Sequence, residues 1–199
     1  ICVPTPLTIN KTPDLSNLKQ TIDLIGKNLK KNSLICFEST SYPGTTEEYF
    51  LPLIELNKFE IGKDIFLSFS PEREDPGNVN FDLTNITKVV SGYSENCLIH
   101  AEALYKTICE NIYLVSNLKT AEFTKLLENI YRSVNIGLVN EMKIISDKMD
   151  IDIHKVIKAS SSKPFGFKAF YPGPGLGGHC IPIDPLYLTW KAKKYGINT

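Results

Sequence analysis

No apolar run in the sequence approaches the ~18 residues that a membrane-crossing helix needs, so no helical span is expected. Neither sign of charge is in excess. Lys plus Arg and Asp plus Glu number 22 each, which gives no support to a nucleic-acid or membrane-surface role. The five cysteines, Cys2, Cys36, Cys97, Cys109 and Cys180, are odd in number and lack Cys-x-x-Cys spacing. They suit neither a disulfide framework nor a zinc ribbon, and a reducing cytoplasm without a bound metal is the expectation. There is no initiator methionine, no signal-peptide pattern, no internal repeat and no low-complexity segment. Ile1-Cys-Val-Pro-Thr-Pro6 reads as the last residues of a buried strand running into a loop, and the chain stops just past a helix end. An internal fragment of a longer protein is therefore expected. What is present, 42% hydrophobic and 22% charged residues in a chain of 199, suits one large or two small globular domains.

Glycine and proline are concentrated in one place, Tyr171-Pro-Gly-Pro-Gly-Leu-Gly-Gly-His-Cys-Ile-Pro-Ile-Asp-Pro185. Gly173, Gly175, Gly177 and Gly178 leave backbone amides open to close approach, and Pro172, Pro174, Pro182 and Pro185 stiffen the flanks. The result is a rigid loop that carries a thiol, Cys180, four residues before a carboxylate, Asp184. That pairing suits covalent catalysis. A tight turn with a space-filling cysteine is the plainer alternative. Gly173, Gly175 and Gly178 also fit the dinucleotide pattern G-x-G-x-x-G. That pattern has meaning only between a strand and a helix with an acid ~20 residues on, and neither condition is met.

Up to residue 117 strands and helices alternate. Helical spacing of Leu15, Leu18, Ile22, Ile25 and Leu29 predicts a helix over 14–31, with Asp14 or Ser16 as its cap. Apolar runs predict strands at Leu34–Phe37, Asp64–Ser70, Lys88–Gly92 and Asn111–Val115. Thr45 and Glu48 suggest a capping box for a helix after Pro43-Gly44, and another helix is expected at Glu95–Ile108. This alternation argues for an α/β domain with a largely parallel sheet. Ligands then bind beyond the carboxyl ends of the strands, where Pro4-Thr-Pro6, Glu38-Ser-Thr40 and Ser70-Pro-Glu-Arg73 fall. From 118 to 149 there is no proline and one glycine, Gly137. A helix of that length is a spine between domains or a subunit interface, unless it breaks near Gly137. Shorter helices at Ile153–Ala159 and Pro185–Tyr195 complete a small helical part, 118–199, after an α/β part, 1–117.

Several residue types carry candidate chemistry. Lys125 and Asn129, four apart on the long helix, can hold an oxyanion or form a solvated face. Glu72 is either a general base or an ion-paired surface carboxylate. Thr40 holds a water or caps a turn. His179 adjoins Cys180, but neighbours on an extended loop point apart. The other four cysteines sit in apolar contexts and are expected in the core.

Taken in order, Val3-Pro-Thr-Pro6, Glu38-Ser-Thr40, Ser70-Pro-Glu72, Lys125-x-x-x-Asn129 and Gly177-Gly-x-Cys-x-Pro-x-Asp184 resemble the UDP-glucose/GDP-mannose dehydrogenase family. The spellings around Glu72 and Cys180 look most like the branch acting on UDP-N-acetylhexosamines. The resemblance covers nearly the whole chain. It implies the C-terminal half of a Rossmann-type parallel sheet (1–117), then a long helix and a small central all-α domain (118–199) that forms a homodimer through helix 118–149. The glycine fingerprint and a third domain would lie outside the chain. It further implies NAD as cofactor, held near Pro4, Thr5, Thr40 and Glu72, and a UDP-sugar substrate against Phe170, Tyr171 and Gly177. Cys180 would be the nucleophile, Lys125 and Asn129 the oxyanion donors, and Glu72 the base. Thr40 would hold water, and Asp184 would share in proton handling. Ile183 stands where many UDP-glucose enzymes have lysine, which argues against glucose as the sugar. UDP-glucose oxidation, a single-oxidation β-hydroxyacid dehydrogenase and a non-catalytic dimerisation module are the alternatives.

Overall fold

The computed structural model describes residues 1–74, 84–178 and 180–199. Its elements are α1 (Ser16–Asn28), β1 (Ser33–Phe37), α2 (Thr45–Leu56), β2 (Ile65–Phe69), β3 (Lys88–Gly92) and α3 (Glu95–Tyr105). After them come β4 (Ile112–Leu114), α4 (Leu118–Lys148), α5 (Ile153–Ser160) and α6 (Asp184–Lys193). By packing, the chain falls into two compact units: Ile1–Leu126 with Leu186–Thr199, and Leu127–Pro185. Compactness thus divides the chain within α4, whereas composition changes at 117/118.

The first unit is a mixed α/β layer built on a four-stranded sheet in the order β1-β2-β3-β4. β1 and β2 are parallel, as are β3 and β4, but β2 meets β3 antiparallel, with Ser68 opposite Gly92 and Phe69 opposite Ser91. Alternation of strand and helix anticipates the two parallel pairs and is blind to the reversal between them. β2 and β3 are buried at every position, which is why their sequences are continuous runs without polar alternation. Phe37 packs against Phe50 and Phe69 with ring centres 5.7 Å apart in each case, and each such ring contributes about 1.5–3 kcal/mol by burial. On the neighbouring strand Val90 packs with Ala101 and Tyr105 of α3. Gly92 is what lets α3 come so close, since a Cβ there would stand 2.2 Å from the Leu98 nitrogen. Ile1 runs beside β1, its amino group donating to the Cys36 carbonyl and its carbonyl accepting from the Glu38 amide. It makes parallel-type contacts without being a regular strand. Cys2 is exposed and so does not belong to the core expected for it.

The start of α2 corrects the expected capping box. Gly44 (φ +98°) is the N-cap, and no side chain of α2 itself caps it. The Thr45 hydroxyl donates backwards to the Tyr42 carbonyl, and Glu48 is drawn off by the Tyr42 hydroxyl and the Lys191 ammonium. A carboxylate from far along the chain takes over. Glu122 of α4, fully buried, accepts from the Gly44 amide, from the Thr46 amide at 2.8 Å and from the Thr46 hydroxyl at 2.7 Å. It satisfies the orphan amides of the helix start across the unit. Burial pushes its carboxyl up to about 7, against the opposing pull of the Thr46 and Gly44 donors. A raised native value means that stability is fully present below the ordinary carboxyl range near 4.5 and is lost as pH rises through about 7. Urea midpoints are therefore expected to fall between pH ~5 and ~8 by the equivalent of a few kcal/mol at most, and Glu122→Gln flattens that slope. An unchanged slope in the variant would contradict the assignment.

In the second unit α4 continues unbroken past Gly137, and the whole helix has 31 residues, about 46 Å at 1.5 Å per residue. A Cβ at Gly137 would meet nothing within 4 Å, so neither strain nor a packing demand falls there. Asp152 caps α5 by accepting from the His154 and Lys155 amides, while Ile153 and Ile157 bury its apolar edge. Leu127, Tyr131, Val134, Leu138, Met142, Ile145 and Met149 recur three or four apart along α4 and its end, each between 38% and 63% exposed. Among the described residues no helix is long and apolar enough to cross a membrane.

Candidate active site

The candidate residues fall into two groups, one in each unit. In the first, the carboxyl ends of β1 and β2 lie side by side, with residues 1–5 running alongside. The Val3 amide donates to the Ser39 hydroxyl at 2.7 Å, and the Thr5 hydroxyl to the Thr40 carbonyl at 2.8 Å. Tyr187, fully buried in α6, donates to the Thr5 carbonyl at 2.9 Å and pins the same turn. Pro4 is exposed, and Thr5 and Thr40 are half-buried. Backbone and hydroxyl groups gathered at the carboxyl ends of parallel strands suit a nucleotide.

Glu72 follows β2. One carboxylate oxygen accepts from the Arg73 and Glu74 amides, both at 2.6 Å, and its backbone carbonyl accepts from the Lys125 ammonium at 2.5 Å. Its other oxygen lies 3.8 Å from Lys88 Nζ, which also sits 3.1 Å from Glu38. Glu38 in turn accepts from the Tyr105 hydroxyl. Burial, with the Cys36 thiol and Glu38 nearby, holds the Tyr105 phenol far above its ordinary range, so it serves as a neutral donor. Sequence reasoning placed Glu72, Thr40 and Lys125 among the candidates but passed over Lys88, Glu38 and Tyr105. A signal for Lys88 was there: a lysine opening an otherwise unbroken buried strand must find a partner.

In the second unit Asn129 and Asp184, both buried, meet directly, Asn129 Nδ2 donating to Asp184 Oδ2 at 2.5 Å. Asp184 opens α6, where the helix dipole favours a negative charge. Its amide and that of Ile183 both donate to the Cys180 carbonyl at 3.0 Å, a tight turn that leaves Cys180 exposed. Gly177 and Gly178 have φ of +71° and +73°, the left-handed region that other residues enter only under strain. Asn140, which sequence reasoning missed, clasps the loop from α4. Its Oδ1 accepts from the Gly173 amide at 2.9 Å and its Nδ2 donates to the Gly175 carbonyl at 3.3 Å. Among the described residues the element before Gly173–Gly178 is the helix α5 and not a strand, so the rejected dinucleotide pattern has no structural setting. Phe170 sits edge-on to Tyr131 with ring centres 5.8 Å apart, and exposed Tyr171 stacks toward His154 at 6.3 Å. Gly177 is exposed, and His179 lies outside the described residues. Among the described residues no group of three or more His, Cys, Asp or Glu could hold a metal.

Comparison with known proteins covers the chain from end to end. Residues 1–109 match the NAD binding domain of the UDP-glucose/GDP-mannose dehydrogenase family, and residues 119–199 match its central domain. Protein CapL of Staphylococcus aureus is 43% identical over 98% of this chain and 46% of its own length. The UDP-N-acetyl-D-glucosamine 6-dehydrogenase of Pseudomonas aeruginosa is 41% identical over 100% of this chain and 47% of its own. A solved UDP-D-ManNAc dehydrogenase from Pyrococcus horikoshii superposes with a TM-score of 0.91 at 36% identity, over 97% of this chain and 46% of that one. The chain spans just under half the length of each of these relatives.

Proposed function

Because the chain belongs to the UDP-glucose/GDP-mannose dehydrogenase family, and its first half is that family's NAD binding domain, we propose that the protein oxidises the C6 hydroxyl of a UDP-N-acetylhexosamine to the uronic acid. Relatives named for UDP-N-acetyl-D-glucosamine and UDP-N-acetyl-D-mannosamine support the sugar class. The observation that carries the chemistry is Cys180, exposed at the end of a loop fixed by Asn140 and followed by the buried Asn129–Asp184 pair.

Two NAD molecules in succession would each take up one of the two hydrides that a four-electron oxidation releases, and Pro4, Thr5, Thr40 and Glu72 would hold the cofactor. The alcohol first loses a proton and a hydride to give the aldehyde. The Cys180 sulfur then adds to the aldehyde carbon, forming a thiohemiacetal, and loss of the second hydride leaves a thioester. Water cleaves the carbon–sulfur bond, releasing the carboxylate and restoring the thiol. Lys125 and Asn129 stabilise the oxyanions, Glu72 accepts protons, and Thr40 and Asp184 manage the water. Phe170, Tyr171 and Gly177 would line the sugar nucleotide. The division at 117/118 and a cytoplasmic setting belong to the same reading. The test is to give the full-length protein NAD with UDP-N-acetylglucosamine, UDP-N-acetylmannosamine or UDP-glucose and to follow NADH. Turnover confined to an N-acetylated sugar supports the reading, and turnover confined to UDP-glucose overturns it.

The apolar stripe along α4 supports a homodimer. Its three-and-four spacing is that of a seam between two helices, and a second copy would bury it by two-fold symmetry. Sedimentation of the full-length protein is expected to show a dimer or larger assembly at micromolar concentration. The double change Val134→Glu with Leu138→Glu is expected to weaken association at least 100-fold, and a wild-type monomer would refute the seam.

A further inference from the structure

A buried ammonium is costly unless it is paired, and Lys88 is only 2% exposed. Its Nζ lies 3.1 Å from Glu38, 3.8 Å from Glu72 and 5.3 Å from the centre of the Tyr105 ring. Two carboxylates from successive loops therefore share one cation. The antiparallel junction brings this about. With Ser68 opposite Gly92 and Phe69 opposite Ser91, β3 begins beside the end at which the chain leaves β2 toward Glu72. Glu38 is held from its other side by the Tyr105 hydroxyl, so Lys88 is anchored independently of Glu72. Glu72, by contrast, is 47% exposed at its side chain, and the Arg73 and Glu74 amides fix one oxygen only. Glu38 alone already balances the lysine charge. The second carboxylate adds a negative charge that a purely structural pair does not require.

We propose that Lys88 is a positioning residue: anchored by Glu38 and Tyr105, it holds the free oxygen of Glu72 in place for proton transfer. This rests on Glu72 acting as the base in sugar-nucleotide oxidation.

The decisive variant is Lys88→Met combined with Glu38→Gln in the full-length protein, which removes the cation without stranding the Glu38 charge. Its kcat is expected to fall about 10- to 100-fold with KM for the UDP-sugar within about twofold, as for a group displaced by a fraction of an ångström. Amide hydrogen exchange at Arg73 and Glu74 is expected to accelerate about 10-fold as the carboxylate they bind swings away. Lys88→Arg, which keeps the cation, is expected to stay within a few-fold of wild type on both readouts. If the double variant does not fold, Lys88→Gln with Glu38→Gln replaces it on the same measurements. Wild-type kcat in the double variant, or unchanged exchange at Arg73 and Glu74, overturns the proposal. If the unaltered protein oxidises no nucleotide sugar, or Glu72→Gln keeps full activity, the functional reading fails instead. The exchange rates then decide by themselves whether Lys88 positions Glu72.

Discussion

Replacing Cys180 by alanine in the full-length protein is expected to abolish formation of the uronic acid while leaving sugar and cofactor binding largely intact. The unaltered protein should yield two NADH for each UDP-sugar consumed, with no free aldehyde, because the thiohemiacetal keeps the intermediate attached. Without the sulfur there is no covalent route from aldehyde to acid. Loss of a nucleophile of this kind costs on the order of 10⁶ in kcat where it has been dissected. The loop should survive the change, since it is held by the Asn140 clasp and by bonds to the Cys180 backbone carbonyl, neither of which involves the thiol. Counting NADH against UDP-sugar settles the matter. One equivalent, or an alanine variant as active as wild type, would leave a single-oxidation enzyme as the better description.

Lys125→Met should be the next most damaging change, lowering kcat about 10²- to 10³-fold, the loss typical of one oxyanion donor. Methionine keeps the apolar stem and the helix, so the loss reports the ammonium. In the structure that ammonium donates to the Glu72 carbonyl, and so it also tethers the loop that carries the proposed base. The two contributions separate in steady-state kinetics. Loss of an oxyanion donor appears in kcat with KM little changed, whereas a loosened loop raises KM for the cofactor. A fall of less than 10-fold in kcat would leave Lys125 as a loop anchor only.

Much of the architecture is legible because its causes are local. Uninterrupted apolar runs locate β1 to β4 within a residue or two, and the absence of proline from 118 to 149 yields one helix, Leu118–Lys148. Capping failed as a local rule at α2. Thr45 and Glu48 have the right spacing, yet Glu48 is claimed by Lys191 and Tyr42, and Glu122 supplies the acceptors instead. A capping box is a contest for hydrogen-bond partners, and sequence spacing shows only one contestant. Cys2 illustrates the same limit, since an apolar neighbourhood in sequence does not fix which way a loop residue turns.

By its residues alone the chain determined the alternation of strand and helix, the stiff glycine–proline loop and the presence of Cys180, Asp184, Lys125, Asn129, Glu72 and Thr40 at its characteristic points. Periodicity and backbone restriction act over a few residues and can be read from them. Tertiary structure decided the direction of β3 and, through it, the meeting of Lys88 with Glu38 and Glu72. It likewise decided the Glu122 cap on α2, the Asn140 clasp on the loop and the Asn129–Asp184 hydrogen bond. The Glu122, Asn140 and Asn129 bonds join groups 33 to 78 residues apart, and Lys88 stands 50 residues from Glu38 and 16 from Glu72. Such partners are selected by the need to pair buried polar groups once the core has closed, and no pattern within a short stretch of sequence records that choice.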